Sequence, residues 1–381
     1  MKIAYCHCSL YNPGGMERVL LNKVRWICSH TDWEVVVITT DQQGRPPFYD
    51  FPEAVRFHDL GINYSVDNGE PVLKKSWRYL RKKRLHRKRL TEVLMAERPD
   101  ITVSLYPSES SFIPDIKDGS KKVLELHFNR FFRLQYGRTG LMGWLDRMRS
   151  RKDTSIARRF DRFVVLTRED LGYWGDMPNI EAIPNAALVS GTAVSDCSPR
   201  RVIAVGRLDY QKSFDRLVEA WEIVCRDPRA AGWRLDIFGQ GEWRDMLCAM
   251  VRAKGLEATV GINAPTSNIA TEYAASSVLA MTSHYEGFPM VLIEAMASGV
   301  PTVTFDFKCG PRDIISHGAD GLVVPDGDIN AFAHALLSMM EDAGRRKAMG
   351  FEARKVIERY SEDSVMERWM KLFGELVADK N

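Results

Sequence analysis

The chain has 381 residues, 45% hydrophobic and 27% charged, which supports two domains with packed cores and excludes a largely disordered protein. No apolar run reaches the roughly 18 residues needed to cross a bilayer, and Lys2 leads into a strand-like segment without a signal-peptide core, so we expect a cytoplasmic protein. The net charge of +3 hides an asymmetry: residues 1–190 carry 31 Lys and Arg against 23 Asp and Glu, and the remainder carries 22 against 27. A basic first half indicates contact with a polyanion or an anionic membrane.

Apolar, β-branched segments recur along the first half of the chain and predict buried parallel strands separated by helices or loops. The first strand is followed by a glycine pair, Gly14 and Gly15, before a helix predicted over Met16–Cys28. Such a loop lets a ligand approach the backbone closely, although paired glycines mark ordinary turns more often. The predicted strands are Ile3–Cys8, Glu34–Thr39, Ile101–Leu105, Lys122–Leu126 and Arg162–Thr167.

The seven cysteines are odd in number and scattered, which favours reduced thiols over a disulfide framework. Cys6-His7-Cys8 could suggest a metal site, but no second ligand pair follows at zinc-like spacing. Alternation along a strand would turn Cys6 and Cys8 to the same face, so we interpret both as core cysteines.

Two segments of the first half concentrate basic residues. Residues 74–89 contain ten Lys and Arg and no acid. In residues 128–144, arginines alternate with aromatic and aliphatic side chains, which suits an interface with anionic lipid headgroups, where each cation contributes roughly 1 kcal/mol. A solvated basic helix and a nucleic-acid surface are the alternatives. The second segment contains Arg130, Arg133 and Arg138 with Phe131, Phe132, Tyr136, Leu141, Met142 and Trp144.

The alternation restarts after a linker predicted at 185–199 and indicates a second doubly wound α/β domain. Ligands of such sheets bind outside the carboxyl ends of the strands, so we expect the site in a cleft between the domains. The predicted strands are Arg201–Val205, Arg234–Phe238, Val278–Thr282, Pro301–Phe305 and Gly321–Val324, and the predicted helices are Phe214–Cys225, Glu242–Lys254, Pro289–Ser298 and Asn330–Glu341.

Arg207 and Lys212 follow the first strand of this second domain, where Gly206 permits a tight exit and Ser213 could cap the next helix. A forked guanidinium and a compact ammonium group at a strand's carboxyl end can hold a diphosphate. For such a pair in isolation, two solvated loop charges are the simpler interpretation.

Two carboxylates, Glu286 and Glu294, lie eight positions apart around the start of a short helix. Pro289 suits the first helical position, and Gly299 followed by Pro301 suits the stop. Glu286 would then lie beside free amides at the positive end of the helix dipole, and Glu294 could accept hydrogen bonds from a ribose. Taken alone, they could equally be two solvent-facing glutamates.

Together these segments resemble the retaining glycosyltransferases of family four, whose GT-B fold has two Rossmann-like domains facing a central cleft. In that family a Glu, seven residues and a second Glu mark the nucleotide-sugar site, as at Glu286 and Glu294, and an Arg and a Lys five apart bind the diphosphate, as at Arg207 and Lys212. The resemblance implies an acceptor-binding domain over 1–188, joined by a C-terminal helix at 362–381, and a nucleotide-sugar-binding domain over 196–361.

The resemblance also implies roles for other residues. Gly14 and Gly15 match glycines that face the donor phosphates and the acceptor, and Gly239 matches a turn near the nucleotide base. His127 follows a predicted strand and matches a histidine that binds the transferred sugar near the reaction centre without acting as a general base, although a lone histidine is more often structural. With Glu286, the backbone of Phe288, Pro289 and Met290 would bind the hexose, and Gly287 and Val291 belong to the same donor-binding segment.

Several aspartates of the second domain carry less information. Asp313 stands where the family often has Glu, and Asp320 replaces a common Asn, which weakens any role for either side chain. Asp326-Gly327-Asp328 imitates a metal-binding sequence, but it lies in a turn beyond the predicted site and GT-B enzymes generally need no metal, so we interpret it as structural.

The sequence therefore predicts a retaining hexosyltransferase that moves a hexose, of the glucose, galactose or N-acetylhexosamine type, from a UDP-sugar to a glycan or lipid-linked acceptor in surface-polysaccharide synthesis. We expect no metal or cofactor besides the donor, no nucleic-acid partner, and peripheral association with the inner face of the membrane through 74–89 and 128–144. A UDP-sugar epimerase of the same fold would explain the cleft but not the basic face. A non-catalytic membrane- or nucleic-acid-binding protein would explain the basic run but not the ordered Arg, Lys and Glu residues.

Overall fold

The computed structural model describes residues 1–67, 72–105, 108–134, 139–187 and 193–378, with the backbone alone at 67 and 72–76. The chain forms two compact units. The first contains Met1–Leu166, Leu171–Ile183 and Val365–Asn381, and the second contains Thr167–Asp170 and Pro184–Ser364.

The first unit is built on a seven-stranded sheet in which every paired neighbour is parallel, in the order β3-β2-β1-β4-β5-β6-β7. Its strands and the helices between them are β1 (Lys2–His7), α1 (Gly15–His30), β2 (Glu34–Thr39), β3 (Arg56–Asp59), α2 (Val72–Glu97), β4 (Ile101–Ser104), β5 (Lys121–Glu125), α3 (Gly140–Ala157), β6 (Arg162–Val165), α4 (Arg168–Tyr173), whose first turn belongs to the second unit, and β7 (Ile180–Ala182).

The second unit has a six-stranded parallel sheet in the order β10-β9-β8-β11-β12-β13. Its elements are β8 (Arg201–Val205), α5 (Phe214–Cys225), β9 (Arg234–Phe238), α6 (Arg244–Ala253), β10 (Val260–Asn263), α7 (Ile269–Ala274), β11 (Val278–Met281), α8 (Met290–Ala297), β12 (Thr302–Phe305), α9 (Pro311–Ile314), β13 (Gly321–Val324), α10 (Ile329–Glu341), α11 (Ala343–Ala353) and α12 (Val356–Tyr360). The last helix, α13 (Glu362–Ala378), lies mostly in the first unit.

Burial on both faces explains why the central strands form. Residues 3–7 of β1 and residues 35–39 of β2 are all buried, because each sheet is covered by helices on both sides. The prediction of two doubly wound α/β domains is confirmed by the two parallel sheets, and both have the strand order of a dinucleotide-binding fold. In each sheet the order reverses beside the first strand, β1 or β8.

Two details differ from the sequence predictions. Cys6 is buried, but Cys8 is exposed because β1 ends at His7 and the chain turns out of the sheet. The interpretation of both as core cysteines was therefore wrong for Cys8, although all seven thiols are free. Pro289 occupies the N-cap position ahead of α8 rather than the first helical position. Within the described ranges, no helix is both long and apolar enough to cross a membrane.

Candidate functional site

The loop after β8 carries the two predicted cations into one hydrogen-bonded cluster. Arg207 Nη2 donates to Oε1 of Gln211 at 2.7 Å, and its Nη1 lies 3.3 Å from Oδ2 of Asp209. Gln211 Nε2 in turn donates to Oε2 of Glu286 at 3.1 Å. Lys212 Nζ donates to the other oxygen of Glu286 at 2.7 Å. The cluster therefore joins Arg207, Lys212 and Glu286, which the sequence separates by up to 79 positions.

Glu286 is the buried centre of this cluster. The residue is 6% exposed, and Ser283 Oγ donates to its Oε1 at 2.8 Å, in addition to the bonds from Lys212 and Gln211. Its backbone is also held, because its amide donates to the carbonyl of Lys308 at 2.9 Å. Glu286 is thus a fully engaged carboxylate at the carboxyl end of β11 and not a solvent-facing side chain.

The turn Gly239-Gln240-Gly241 is hydrogen-bonded to the loop that carries Arg207 and Lys212. The amide of Leu208 donates to the carbonyl of Gln240 at 2.9 Å, and the amide of Gly206 donates to that of Phe238 at 3.0 Å. The loops lie so close that a Cβ on Gly239 would be 1.9 Å from the carbonyl oxygen of Gly206. Gly239 is therefore required by backbone contact with the Arg207 loop, whatever else it binds.

Helix α8 places Glu294 about one turn beyond its start at Met290. Glu294 is half-buried, and Tyr273 donates its hydroxyl to Oε2 of Glu294 at 3.3 Å. Burial, followed by the charge of Glu294, raises the pKa of Tyr273 well above its ordinary value. Tyr273 therefore stays a donor and holds the carboxylate in position.

The segment between the two glutamates leads into α8 and contains two backbone amides that donate to no acceptor within the described ranges. Among the described residues, the amides of Gly287 and Phe288 have no hydrogen-bond acceptor, whereas the amide of Met290 donates to the carbonyl of Phe288 at 3.0 Å. Phe288 is buried against the ring of Tyr360, 5.7 Å between centroids. The amide of Met290 is thus already used, contrary to the expectation of a free donor there, and Val291 is the second helical residue.

Arg207 is the accessible cation of the cluster. Its side chain is 68% exposed, compared with 13% for Lys212. An incoming dianion can therefore meet Arg207 from solvent and compete with Glu286 for the ammonium group of Lys212. Chemically, the arrangement can hold a diphosphate and neutralise charge that develops on it.

The sequence predictions missed three residues of this site. Gln211 bridges Arg207 and Glu286, Ser283 donates to Glu286, and Tyr273 donates to Glu294. Gln211 and Ser283 lie one and three positions from residues already selected, which was a usable signal. Tyr273 lies 21 positions before Glu294, and no local pattern joins them.

In the first unit, the glycine pair lies at the start of α1. Gly14 is its N-cap, and a Cβ there would lie 2.0 Å from Oε2 of Glu17. Gly14 thus leaves the space in which the Glu17 carboxylate folds back over the helix start. Burial raises the pKa of Glu17 above its ordinary value, an effect that the helix amide and His127 oppose. Gly15 borders open space, because a Cβ at that position would meet no neighbouring group within 4 Å.

His127 follows β5 and is held by buried charges. Its Nε2 lies 3.0 Å from Oε1 of Glu125, whose side chain is fully buried. The same oxygen accepts a hydrogen bond from Nζ of Lys23, a residue of α1. Gly14, Gly15 and His127 therefore belong to the first unit, and the Arg207 cluster with Glu294 belongs to the second.

The aspartates for which the sequence indicated no clear role make structural contacts within the second unit. Asp326 pairs with Nη1 of Arg216 at 2.9 Å, and Asp328 caps α10 by accepting from the amide of Ala331. Asp313 accepts from the amide of Glu169, and Asp320 accepts from that of Ser316. In the part of the chain that the structure describes, no three His, Cys, Asp or Glu side chains are grouped so as to hold a metal ion.

The basic run forms most of α2, which buries one stripe and exposes the rest. His86, Leu90 and Leu94 recur every four residues and are buried. Trp77 is 64% exposed and Leu80 is 60% exposed. The exposed cations of this helix are Arg81, Arg84, Arg87, Lys88 and Arg89, and the side chains of Lys74 and Lys75 lie outside the described ones.

The second basic segment is only partly a surface. Arg133 pairs with Asp153 of α3 at 2.6 Å, and Arg130 donates to Thr154 at 3.0 Å and lies over the ring of Trp174. Both guanidinium groups are therefore bound internally, which corrects the expectation that they face headgroups. Tyr136 and Arg138 lie outside the described residues. The exposed apolar side chains that remain in this segment are Phe128, Leu141, Met142 and Trp144.

Two Rossmann-like units, with paired cations and glutamates at the carboxyl edge of the second sheet, define a GT-B glycosyltransferase fold. A comparison of structures agrees. A Gly-to-Arg mutant of S. aureus TarM, in complex with fondaparinux, alpha-GlcNAc-glycerol and UDP, superposes with a TM-score of 0.75 and 18% identity over 98% of this chain and 99% of that one. Residues 194–356 match the family described as "Glycosyl transferases group 1".

Two curated relatives are similar in sequence. The amylovoran biosynthesis glycosyltransferase AmsD of Erwinia amylovora is 34% identical over 55% of this chain and 61% of its own. The exopolysaccharide phosphotransferase SCO2592 of Streptomyces coelicolor is 34% identical over 59% of this chain and 24% of its own. The alignments thus span less than two thirds of either relative.

Proposed function

We propose that this protein is a retaining glycosyltransferase that moves a hexose from a UDP-sugar to a glycan or lipid-linked acceptor in cell-surface polysaccharide synthesis. The observation that carries the proposal is the cluster of Arg207, Gln211, Lys212 and Glu286. A nucleotide diphosphate is the leaving group that such a pair of cations would stabilise as the sugar–phosphate bond breaks. The group 1 domain and the polysaccharide role of AmsD support this assignment.

In this proposal each group has a distinct task. Arg207 and Lys212 bind the diphosphate, and Glu294, held by Tyr273, accepts hydrogen bonds from the ribose. Glu286 and the amides of Gly287 and Phe288 bind the hexose. UDP is the proposed nucleotide, supported by the TarM complex with UDP. The chemistry requires no metal from the protein, because the two cations take that role.

The proposed acceptor side lies in the first unit. Exposed Trp77 and Leu80 of α2 alternate with its cations, and exposed Trp144 and Met148 lie on α3. Such a surface suits an anionic membrane, which would place the enzyme peripherally on the inner face, near a lipid-linked acceptor. The two helices are near each other: burial, and after it the charge of Lys152 on α3, lower the pKa of Lys83 on α2.

The decisive substitution is Lys212→Ala. Losing this cation should lower kcat/KM for transfer roughly 100- to 1000-fold, as is usual when one charge-stabilising donor is removed. Lys254→Ala is a matched control, because Lys254 is another partly buried lysine of the second unit paired with a glutamate, Glu222. Transfer would be followed by mass spectrometry of products from UDP-, GDP- and ADP-sugars with lipid-linked acceptors.

Near-normal transfer by the Lys212→Ala protein would contradict the assignment. An isomerised nucleotide sugar in the absence of acceptor would instead indicate the epimerase alternative. Retention is tested separately, by the anomeric coupling in the NMR spectrum of the product, and an inverted linkage would exclude it.

A further inference from the structure

A buried chain of charges in the first unit ends at His127. Glu125 lies at the end of β5 with a fully buried side chain, and its Oε1 is shared by Lys23 Nζ and His127 Nε2. The side chains of Lys23 and His127 are only 6% and 4% exposed. Lys23 also lies over the ring of Trp369 from α13, with Nζ 3.8 Å from the ring centroid.

The charges of Glu125 and Lys23 balance each other. Burial alone would raise the pKa of Glu125, but Lys23 and His127 outweigh burial and lower it to about 2. Glu125 is therefore an anion at neutral pH, and Lys23, although burial lowers its pKa, is the cation that balances it. A buried carboxylate of this kind is a strong, fixed acceptor.

The two ring nitrogens of His127 have different surroundings. Nε2 faces the Glu125 oxygen at 3.0 Å, which requires a proton on Nε2. Nδ1 has no hydrogen-bond partner among the described residues. It is not fully buried, in contrast to Nε2 of His7, which is buried without a partner. In the neutral ring, Nδ1 is then an accessible acceptor.

We propose that Glu125, held by Lys23, is a positioning residue that fixes His127 as the Nε2–H tautomer, so that Nδ1 accepts a hydrogen bond from a hydroxyl group of a sugar ligand bound at the first unit. The sugar in this statement rests on the proposed function, whereas the tautomer does not. An acceptor nitrogen selects a substrate that carries a hydroxyl group at that point, and the contact with Glu125 holds the ring in the orientation that presents Nδ1.

The tautomer can be measured in the full-length protein without activity. Histidine labelled with 15N gives long-range proton–nitrogen correlations that distinguish Nε2–H from Nδ1–H, and His127→Gln identifies the His127 signals. The test variant is the double substitution Lys23→Met with Glu125→Met, which removes both charges and leaves neither buried alone. The control is Asp118→Leu with Lys122→Met, which removes another buried lysine–carboxylate pair beside the same strand.

We expect the wild-type protein and the control to show His127 as Nε2–H, and the test variant to lose this single tautomer. An Nδ1–H ring in the wild type, or an unchanged ring in the test variant, would overturn the proposal. A loss of the tautomer in the control as well would also overturn it, because the effect would then follow from general loosening of the unit.

Kinetics supply the second measurement. Replacing the Lys23–Glu125 pair should lower kcat roughly 10- to 100-fold, the usual effect of losing a group that orients a functional histidine. The dissociation constant for UDP should not change, because the Arg207 cluster belongs to the other unit. If no nucleotide sugar supports transfer, the proposed function fails, while the NMR result still decides the tautomer. Equal transfer rates in the test variant and the wild type would overturn the positioning role.

Discussion

At the scale of the residue, the Lys212–Glu286 pair is arranged so that a ligand can break it at low cost. Removing one partner of a buried ion pair usually leaves the other charge unsatisfied. Here Glu286 would keep its bonds from Gln211 and Ser283 if Lys212 moved to a phosphate. Lys212 can therefore turn from Glu286 to a phosphate group without leaving that carboxylate unsatisfied.

The close approach at Gly239 leads to a prediction. Gly239→Ala would place a Cβ 1.9 Å from the carbonyl oxygen of Gly206, so the Arg207 loop must shift. We expect a stability loss of about 1–3 kcal/mol, typical of overpacking, and weaker UDP binding by isothermal titration calorimetry. Gly374→Ala is the control, since Gly374 lies exposed within α13 with open space for a Cβ. Unchanged UDP affinity in the Gly239→Ala protein would contradict this account of the turn.

The sequence predicted the charged residues of the site but not their partners. The sequence predicted Arg207 and Lys212 from their spacing after a strand. It predicted the two glutamates from their spacing and from the start and stop signals around α8. Tyr273 could not be predicted, because its contact with Glu294 depends on how α7 packs against α8. The burial of Glu286 was also unpredictable, since it depends on loops from three separate strands closing over one carboxylate.

At the scale of the element, α2 is anchored by a buried neutral histidine. His86 is 1% exposed, its Nδ1 lies 3.2 Å from the hydroxyl of Tyr64, and its ring packs edge-on against Phe112. Burial, assisted by Lys83, lowers the pKa of His86 from 6.5 to about 4. The helix therefore docks with an uncharged ring although its exposed side is strongly basic.

This anchor predicts a loss of stability in mild acid. Between about pH 6.5 and pH 4 the unfolded chain binds a proton at His86 and the folded chain does not, so the free energy of unfolding falls by up to about 3 kcal/mol. His86→Phe should reduce the difference between urea unfolding measured at pH 7 and at pH 5 by circular dichroism. His30→Phe, at an exposed helix end, should retain the full difference. An equal acid loss in the His86→Phe protein would show that other groups cause it.

The prediction of elements was best where burial was greatest. The strands β2, β8, β9 and β13 have the predicted bounds, and the other predicted strands differ by one or two residues at one or both ends. The strands without a sequence prediction, β3, β7 and β10, lie at sheet edges and are mostly not buried. These three strands have one neighbour and a wetter face, so their sequences lack the continuous apolar run that marks a central strand. The edge strand β13 is mostly buried, and its sequence keeps such a run.

At the scale of the whole molecule, the charge asymmetry of the sequence is concentrated on α2 and α3. We predict that the protein binds vesicles containing anionic lipid and releases them as salt rises, because screening weakens exposed charges. Replacing Arg81, Arg84 and Lys88 with Glu should abolish co-sedimentation with such vesicles, and replacing Trp77 with Ser should weaken it. The control is Arg345→Glu with Lys347→Glu, which reverses exposed charges in the second unit.

Binding that the control loses equally would assign the effect to net charge and not to this surface. Binding to an oligonucleotide that outcompetes the vesicles would favour the nucleic-acid alternative. Neutral vesicles serve as the reference in both comparisons.

The packing of Trp369 over Lys23 has a consequence for biosynthesis. The ribosome makes β1, α1 and β5 early, but it makes α13 only after the whole second unit has emerged. Until then the Lys23–Glu125 pair lacks the aromatic ring that covers it. The contact between Trp369 and Lys23 is therefore among the last contacts of the first unit that the growing chain can form.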